Sequence, residues 1–311
     1  MARTLADAQR SLGHHVRVIA VRADRFKEEA DAVLPDSGPI GWNRAMRHLD
    51  VEWEALDAVH IHAGIWRSQL YYYALRRRSP KAAWVIHLHG SETRSGKGLH
   101  HLGLADAVLC STPDLRRLVP SAEWLPNPVR LPDLVPPRPR DGPVVFGHFP
   151  SDRRVKGTAA ILDSMRRAIR KEGAVSEVRT GVRRWTWGHA DLVVGEGLPH
   201  ETVLDLMRAC DAIVDHLSSL GPVGLVSLEA MSLGRAAISS YDVEMYPKVC
   251  PVIHFSHADA SDVFRRVLEH PDELERGGSL GRRYVQELHD AQRVAARTVG
   301  IYEEAQRSRL R

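Results

Sequence analysis

The segment best suited to chemistry is a helix that begins at a glycine turn and carries a carboxylate. Segment Gly221–Gly234 follows the apolar run Asp211–Asp215 and opens with Gly-Pro-x-Gly, which predicts a helix over Val223–Leu233. Unpaired amides and the positive end of the dipole at a helix start favour an anion. Glu229 leans back toward that start, where its carboxylate can bind a ribose whose phosphates contact the amides. The alternative is an ordinary amphipathic helix with Glu229 on its surface.

A basic loop lies between the first strand and the first helix of the second half of the chain. It follows the predicted strand Val144–His148 and contains Arg153, Arg154, Lys156 and Gly157. Ligands of open parallel sheets bind beyond the carboxyl ends of the strands. Arginine offers a forked donor and lysine a point charge, so the loop is suited to neutralising a diphosphate. A solvated basic loop is the alternative.

Two His-x-His pairs end neighbouring strands of the first half. They are His60 with His62 and His87 with His89. Side chains two residues apart on a strand share a face, so four imidazoles lie close enough to consider a metal ion. No cysteine or flanking carboxylate completes a ligand pattern. The sequence therefore predicts neither a metal site nor a cofactor, and His60 and His87 are expected to serve packing and local hydrogen bonds.

Strand-like runs alternate with helical patterns almost throughout the chain, which predicts parallel α/β sheets. The stretch Leu125–Gly142 is rich in proline, which excludes regular structure and indicates a linker. The predicted organisation is an N-terminal Rossmann-like domain over 1–126, a linker over 127–142, a second domain over 143–289 and a C-terminal helix over 290–311.

The helix segment resembles the donor-binding signature of retaining GT-B glycosyltransferases of family 4, and the matching residues are Gly224, Glu229, Ala230, Met231 and Gly234. The resemblance covers nearly the whole chain. It implies two Rossmann-like parallel-sheet domains that face a cleft, the second of which binds a nucleotide sugar. One departure concerns Gly221, which stands where the family has a glutamate that faces the transferred sugar.

The same resemblance implies roles for individual residues. Lys156-Gly157 matches the family's Lys-Gly pair, and His89-Gly90 resembles the segment whose histidine approaches the transferred sugar. We therefore expect His89, Lys156 and Arg153 to be catalytic. Glu229 is expected to hold the ribose, and Gly197 and Leu198 to frame the base. The expected donor-binding residues are Arg154, Gly197, Leu198, Gly221, Val223, Gly224, Leu225 and Glu229.

The two ends of the chain also resemble the family. The first residues look like its first helix and second strand, so its first strand and the glycine-rich acceptor loop are expected to be absent. Leu280–His289 and Asp290–Gln306 are predicted as two helices. In the family the last helix crosses back to the first domain; an ordinary final helix of the second domain is the alternative.

The implied function is retaining transfer of a sugar from a UDP- or GDP-sugar to a hydroxyl acceptor, without a metal. A sugar-nucleotide 2-epimerase shares the architecture and is one alternative. A non-catalytic subunit that binds a nucleotide or a partner is another, favoured by Gly221 and by the expected absence of the first strand. A dinucleotide dehydrogenase is disfavoured because no Gly-x-Gly-x-x-Gly follows a predicted strand.

Amino-acid composition limits the number of domains, the kinds of binding partner and the cellular location that can be expected. The 311 residues are 43% hydrophobic, which is enough for two cores, and the net charge of +4 is too small to indicate nucleic acid. Three scattered cysteines fit a reducing compartment, and no apolar stretch reaches membrane-spanning length, so a cytoplasmic location is expected.

Trp185 and Trp187 lie in a basic stretch that is predicted to be a loop. The loop either contacts a membrane surface or a glycan peripherally, or is anchored by partial burial of the two rings.

Overall fold

The computed structural model describes residues 1–20, 30–34, 38–62, 69–96, 99–134, 136–139, 141–217 and 221–309. The chain forms two compact units. Unit 1 comprises Met1–Pro128 with Ala291–Arg311, and unit 2 comprises Val129–Asp290. The proline-rich stretch is thus part of unit 2 from Val129 onward. In this stretch the carbonyl of Pro132 accepts a hydrogen bond from Arg282 at 2.8 Å, and the carbonyl of Pro136 accepts one from Arg235 at 3.1 Å.

The first part of unit 1 alternates helices with short parallel strands. Its elements are α1 Ala2–Ser11, β1 Ile19–Ala20, β2 Ala32–Val33, α2 Gly38–Met46, β3 Ala58–His62, α3 Gln69–Arg78, β4 Ala83–Leu88, α4 Gly90–Arg94, β5 Ala107–Cys110 and β6 Glu123–Trp124. Strands β3 to β6 form one parallel sheet in chain order, and β1 pairs with β2 separately. Every residue of β4 is buried, as expected for an interior strand of a parallel sheet.

Unit 2 contains a larger, mixed sheet. Its elements are β7 Val144–His148, α5 Arg153–Lys156, α6 Thr158–Ile169, β8 Ala174–Arg179, β9 Val182–Thr186, β10 Ala190–Gly195, α7 His200–Arg208, β11 Ala212–Val214, α8 Leu225–Ser232, β12 Ala236–Ser239, β13 Ile253–His254, α9 Ala260–Glu269 and α10 Asp272–Leu288. The strand order is β13-β12-β11-β7-β10-β9-β8, and the pairs from β13 to β10 are parallel.

Each face of the unit 2 sheet has its own core, because successive side chains of a strand point to opposite faces. On one face Phe146 and Val214 pack in a cluster with residues of α6 and α9. On the other face Val145 and Ile213 pack with residues of α8 and α10. The carboxyl ends of β7 and β11 are therefore held side by side between two helical layers.

The prediction of a loop around Trp185 and Trp187 is wrong. Residues Val182–Thr186 form β9, which pairs antiparallel with both β8 and β10. Gly181 occupies the two-residue turn before it with φ +78°, a conformation that glycine adopts without strain. Trp187 is 4% exposed within the core, and Trp185 packs partly buried against the same cluster. These rings thus serve the core rather than a membrane or glycan surface.

The last helix, α11 Ala291–Arg309, belongs to unit 1. Val294 and Ala295 share an apolar cluster with Leu5 of α1 and Val85 of β4. Helix α11 therefore completes the core of unit 1 from the far end of the sequence. None of the helices in the described part of the chain has the length and apolar character that a bilayer span requires.

Candidate functional site

Helix α8 begins at Leu225, with Gly224 as its N-cap, two residues later than predicted. The amides of its first two residues, Leu225 and Val226, donate no hydrogen bond within the described part of the chain. The amide of Val223, two residues before the helix, donates to the Tyr246 hydroxyl at 2.9 Å. Amide donors that have no partner among the described residues thus lie at the positive end of the helix, which is the arrangement that binds anions.

A buried ion pair lies beside this helix start. Lys156 Nζ donates to Asp215 Oδ1 at 2.5 Å, and Ser227 Oγ donates to Asp215 Oδ2 at 2.9 Å. The Asp215 side chain is fully buried, whereas that of Lys156 is 19% exposed. Burial alone raises the pKa of Asp215, but the charges of Lys156 and His216 and the two hydrogen bonds hold it below its usual value. Asp215 is thus ionised at neutral pH and fixes the position of the Lys156 ammonium group.

The glycine at position 224 is explained by its contact with Asp215. A Cβ atom built on Gly224 would lie 2.0 Å from Asp215 Oδ2, so any side chain there collides with the carboxylate. Lys156 and Gly224, predicted separately from two motifs, therefore meet at the same carboxyl group. The structure brings these two predicted residues together within unit 2.

The glycine at position 157 allows the basic loop to approach the loop that follows β11. Gly157 has φ +70°, and a Cβ there would lie 2.0 Å from the carbonyl oxygen of Leu217. The Leu217 amide in turn donates to the carbonyl of Lys156 at 3.1 Å. Position 157 therefore requires glycine for both its backbone conformation and the space it occupies.

A matched pair of substitutions separates these two causes. Gly197 has φ +65°, but a Cβ at this position would have nothing within 4 Å, so Gly197→Ala should lower the free energy of unfolding by about 1–2 kcal/mol for the left-handed backbone alone. Gly157→Ala has the same backbone cost plus overpacking against Leu217, which adds about 1–3 kcal/mol. Urea unfolding of both variants measures the difference, and equal losses would contradict the close-contact explanation.

The two arginines of the basic loop differ in their partners. Arg153 Nη1 forms an ion pair with Glu196 Oε2 at 3.1 Å, and both side chains are more than a third exposed. The Arg154 side chain is exposed and has no ion pair within the described residues. Gly197 and Leu198 follow Glu196 directly, so Arg153 contacts the loop that was expected to frame the base.

Glu229 lies in the second turn of α8 and contacts His200, whose predicted role was only to start a helix. Its Oε1 atom is 2.8 Å from His200 Nε2, at the start of α7. Oε2 has no hydrogen-bond partner in the described residues. The residue is 9% exposed, so one carboxylate oxygen is fixed and the other remains able to accept a donor.

His148, at the end of β7, is a buried histidine whose surroundings keep it neutral. Nδ1 donates to the Val214 carbonyl at 2.8 Å, and Nε2 accepts from Thr158 Oγ1 at 2.8 Å, the tautomer that satisfies both contacts. Burial lowers the pKa of His148 from 6.5 to about 4 despite opposing effects from Val214 and Asp215. The ring therefore joins β7, β11 and α6 by hydrogen bonds without carrying charge.

The lowered pKa of His148 predicts that the stability of the protein depends on pH. Between pH 6.5 and about 4 the unfolded chain binds a proton at His148 that the native state does not, so the free energy of unfolding falls as pH falls. The slope from this residue approaches about 1.4 kcal/mol per pH unit. His148→Gln should remove that contribution, whereas His257→Gln, at an exposed site, should not. Urea unfolding over this range tests it; identical slopes for wild type and His148→Gln would contradict it.

The remaining predicted residues fall into two groups. Gly221, Val223 and Gly224 lie on the turn that leads into α8, and Leu225 is the first residue of the helix. The Gly221 carbonyl accepts a hydrogen bond from the Asp242 amide at 3.0 Å. His89 follows β4 in unit 1, and its Nε2 is 3.2 Å from His62 Nδ1. Three further residues of the site were not predicted from the sequence, namely Asp215, Ser227 and His200.

Comparison with known proteins establishes the fold. No protein-family model matches the sequence, and neither does any curated protein. Sucrose-phosphate synthase from Thermosynechococcus elongatus is 18% identical, with a TM-score of 0.68 over 97% of this chain and 92% of that one. A glycosyltransferase from Rickettsia africae is 12% identical, with a TM-score of 0.66 over 97% and 93%. The Anabaena protein HepE, solved in complex with UDP-glucose, is 14% identical, with a TM-score of 0.55 over 78% of both chains.

These similarities confirm the predicted fold class. The chain is an α/β protein with parallel sheets and shares the GT-B fold of solved glycosyltransferases along most of its length. The assignment to family 4 stays a prediction.

Proposed function

We propose that this protein transfers a sugar from a nucleoside-diphosphate sugar, UDP- or GDP-linked, to a hydroxyl acceptor, with retention of anomeric configuration. The observation that carries the proposal is the meeting of the α8 helix start and Lys156 at Asp215, with Glu229 one turn further along the same helix. Solved neighbours of the same fold support this choice, among them a protein in complex with UDP-glucose. Family 4 is the class whose donor signature the α8 segment resembles.

The diphosphate binds at the start of α8 in this proposal. The amides of Leu225 and Val226 are unpaired donors within the described residues, and the helix dipole adds partial positive charge. Lys156 has three N–H donors, of which Asp215 takes one, so the others remain for phosphate oxygens.

The net positive charge of the proposed diphosphate site comes from Arg153 and Arg154, because Asp215 already balances the charge of Lys156. Arg154 is exposed, and its side chain has no ion pair within the described residues. Arg153 can exchange Glu196 for phosphate at little cost, since exposed ion pairs contribute only about 0–1 kcal/mol. Arg153 and Arg154 therefore supply the net positive charge, and Lys156 supplies hydrogen-bond donors to the phosphates.

The nucleoside part binds between α8 and the loop before α7. Glu229 Oε2 accepts a ribose hydroxyl, while His200 fixes the other oxygen of the carboxylate. Gly197 and Leu198, just before α7, lie on the loop proposed to frame the base. Val223 and Gly221 line the turn that faces the donor.

The proposed reaction needs no enzyme nucleophile. The bond between the anomeric carbon and the β-phosphate oxygen breaks, and the acceptor oxygen bonds to that carbon on the same face. The acceptor proton passes to the departing phosphate oxygen, so atoms and charges balance. Lys156, Arg153 and the helix amides stabilise the charge that develops on the diphosphate, a task that fixed dipoles and cations perform effectively. A divalent cation at the diphosphate is not required in this scheme, and His89 stays a predicted contact of the sugar or acceptor.

Ligand screening followed by turnover assays tests the function. UDP, GDP and their sugars are first screened by thermal shift, where ligand at tenfold its Kd adds about 1.4 kcal/mol to stability. Release of nucleoside diphosphate is then measured with and without a panel of hydroxylated acceptors. Acceptor-dependent release supports transfer, and Glu229→Gln should weaken donor binding about tenfold or more through loss of a charge-assisted hydrogen bond.

The other outcomes identify the alternatives. Conversion of the donor without an acceptor indicates a sugar-nucleotide 2-epimerase. Donor binding without turnover indicates a non-catalytic subunit, the outcome that Gly221 favours because the family's sugar-facing glutamate is replaced there. Absence of binding to every nucleotide in the panel contradicts the proposal.

A further inference from the structure

Four histidine rings form a contiguous row on one face of the unit 1 sheet. His60 and His62 lie on β3, His87 lies on β4 directly opposite His62, and His89 follows the end of β4. Ring centroids are 4.2 Å apart for His60 and His62, 5.1 Å for His62 and His87, and 4.7 Å for His87 and His89. The parallel register thus places the two His-x-His pairs in one cluster, hereafter the histidine cluster.

Three buried ring nitrogens of this cluster have no hydrogen-bond partner among the described residues. His87 is fully buried, yet within the described residues neither of its ring nitrogens has a hydrogen-bond partner. The Nε2 atom of His60 is likewise buried and unpartnered there. Buried polar atoms are nearly always satisfied in native proteins, so unsatisfied ones call for an explanation such as an ion. Packing alone leaves the His87 nitrogens unexplained.

The donor atoms of His60, His62 and His87 are close enough to share one ion. One ring nitrogen from each lies within 4.8 Å of the others. A tetrahedral zinc site with Zn–N bonds of about 2.0–2.1 Å requires nitrogens roughly 3.4 Å apart, so movements of about 1 Å complete the site.

The remaining contacts of the cluster match the outer shell of a metal site. Metal-bound histidines usually donate their second ring N–H to a neighbouring polar group. His60 Nδ1 is 2.6 Å from the Tyr302 hydroxyl of α11, and Gln9 Nε2 donates to the same hydroxyl at 3.2 Å. His62 Nδ1 is 3.2 Å from His89 Nε2. These partners orient two of the three ligand rings.

We propose that His60, His62 and His87 bind one divalent transition-metal ion, preferably zinc. Three imidazole nitrogens favour zinc, cobalt, nickel or copper over magnesium or calcium, which prefer oxygen ligands. A water molecule completes the coordination. The site belongs to unit 1 and does not depend on the function proposed for unit 2.

Metal binding to the full chain without an affinity tag tests this inference. The protein is treated with a chelator, dialysed against zinc, and its metal content measured; titration with cobalt adds the visible absorption of tetrahedral Co²⁺ as a second readout. We expect one equivalent of zinc with a submicromolar Kd and a tetrahedral cobalt spectrum. Less than about a third of an equivalent, or a six-coordinate spectrum, overturns the inference.

Variants locate the ion. His62→Gln at a half-buried position and His87→Gln at the buried one should each weaken zinc binding at least about 100-fold, and Tyr302→Phe about tenfold, as outer-shell losses do. The double variant His14→Gln/His15→Gln removes an exposed histidine pair elsewhere and should bind like wild type. If His87→Gln does not fold, His62→Gln alone decides. Unchanged affinity in the folded cluster variants, or loss in the control, overturns the inference.

Discussion

Asp215→Ala should lower the free energy of unfolding by about 3–5 kcal/mol, the typical cost of removing one partner of a buried ion pair. The variant leaves the ammonium of Lys156, whose side chain is only 19% exposed, without its counter-charge. It also removes the acceptor of the Ser227 hydroxyl and leaves a cavity beside Gly224. Urea unfolding followed by circular dichroism and tryptophan fluorescence measures the loss.

Asp163→Ala is the matched control. Asp163 forms ion pairs with Arg166 and Arg167 on the surface of α6, where the side chains are 41–56% exposed. Exposed pairs contribute little, so this variant should stay within about 1 kcal/mol of wild type. A similar small loss for Asp215→Ala would show that its carboxylate does not organise the site.

Lys156→Met should weaken binding of a nucleoside diphosphate by about 10- to 150-fold, the equivalent of a charge-assisted hydrogen bond of 1.5–3 kcal/mol. Methionine keeps an unbranched apolar chain one atom shorter than lysine but removes the positive charge and the N–H donors. Binding of the corresponding nucleoside, which has no phosphate, should change much less. Isothermal titration with both ligands measures the two affinities.

Two further variants serve as controls for Lys156→Met. Lys156→Met also leaves the carboxylate of Asp215 uncompensated, so the double variant Lys156→Met/Asp215→Asn restores local neutrality and should show the same loss of diphosphate affinity. Lys171→Met removes an exposed lysine elsewhere in unit 2 and should bind like wild type. If the double variant recovers wild-type affinity, the loss came from misfolding around Asp215 rather than from a missing phosphate contact.

Much of the fold could be predicted because apolar runs bounded by turn residues determine the interior strands. The predicted strand Val144–His148 has the same bounds in the structure. The prediction missed β9, because the residues of Val182–Thr186 do not alternate between apolar and polar side chains. The period-2 signal of a half-buried strand is absent there.

Helix α10 shows how tertiary packing overrides local propensity. The predicted helix begins at Leu280, whereas α10 begins at Asp272 and includes Gly277 and Gly278. Glycine disfavours a helix interior, so local propensity does not predict a helix across these residues. A Cβ at Gly278 would lie 2.1 Å from the carbonyl oxygen of Gly234, so glycine is what allows α10 to pack closely against the end of α8.

Site residues that belong to one local motif could be predicted from the sequence. Contacts between residues that are distant in sequence could not. Gly224 and Glu229 share one helix signature. Asp215 directly follows the buried strand β11 and is 59 residues from Lys156 in sequence, so their ion pair depends on the pairing of β11 with β7. A single sequence does not give that register. His200 was assigned to a helix start for the same reason, since its partner Glu229 lies on another element.

The central claim is that the start of α8 and the basic loop bind the diphosphate of a nucleotide. Titration of the wild-type protein with UDP, uridine, GDP and guanosine tests it most directly. Two charge-assisted contacts of at least about 1.5 kcal/mol each predict that one diphosphate binds about 100-fold or more tightly than its own nucleoside. A nucleoside that binds as tightly as its diphosphate would contradict the account.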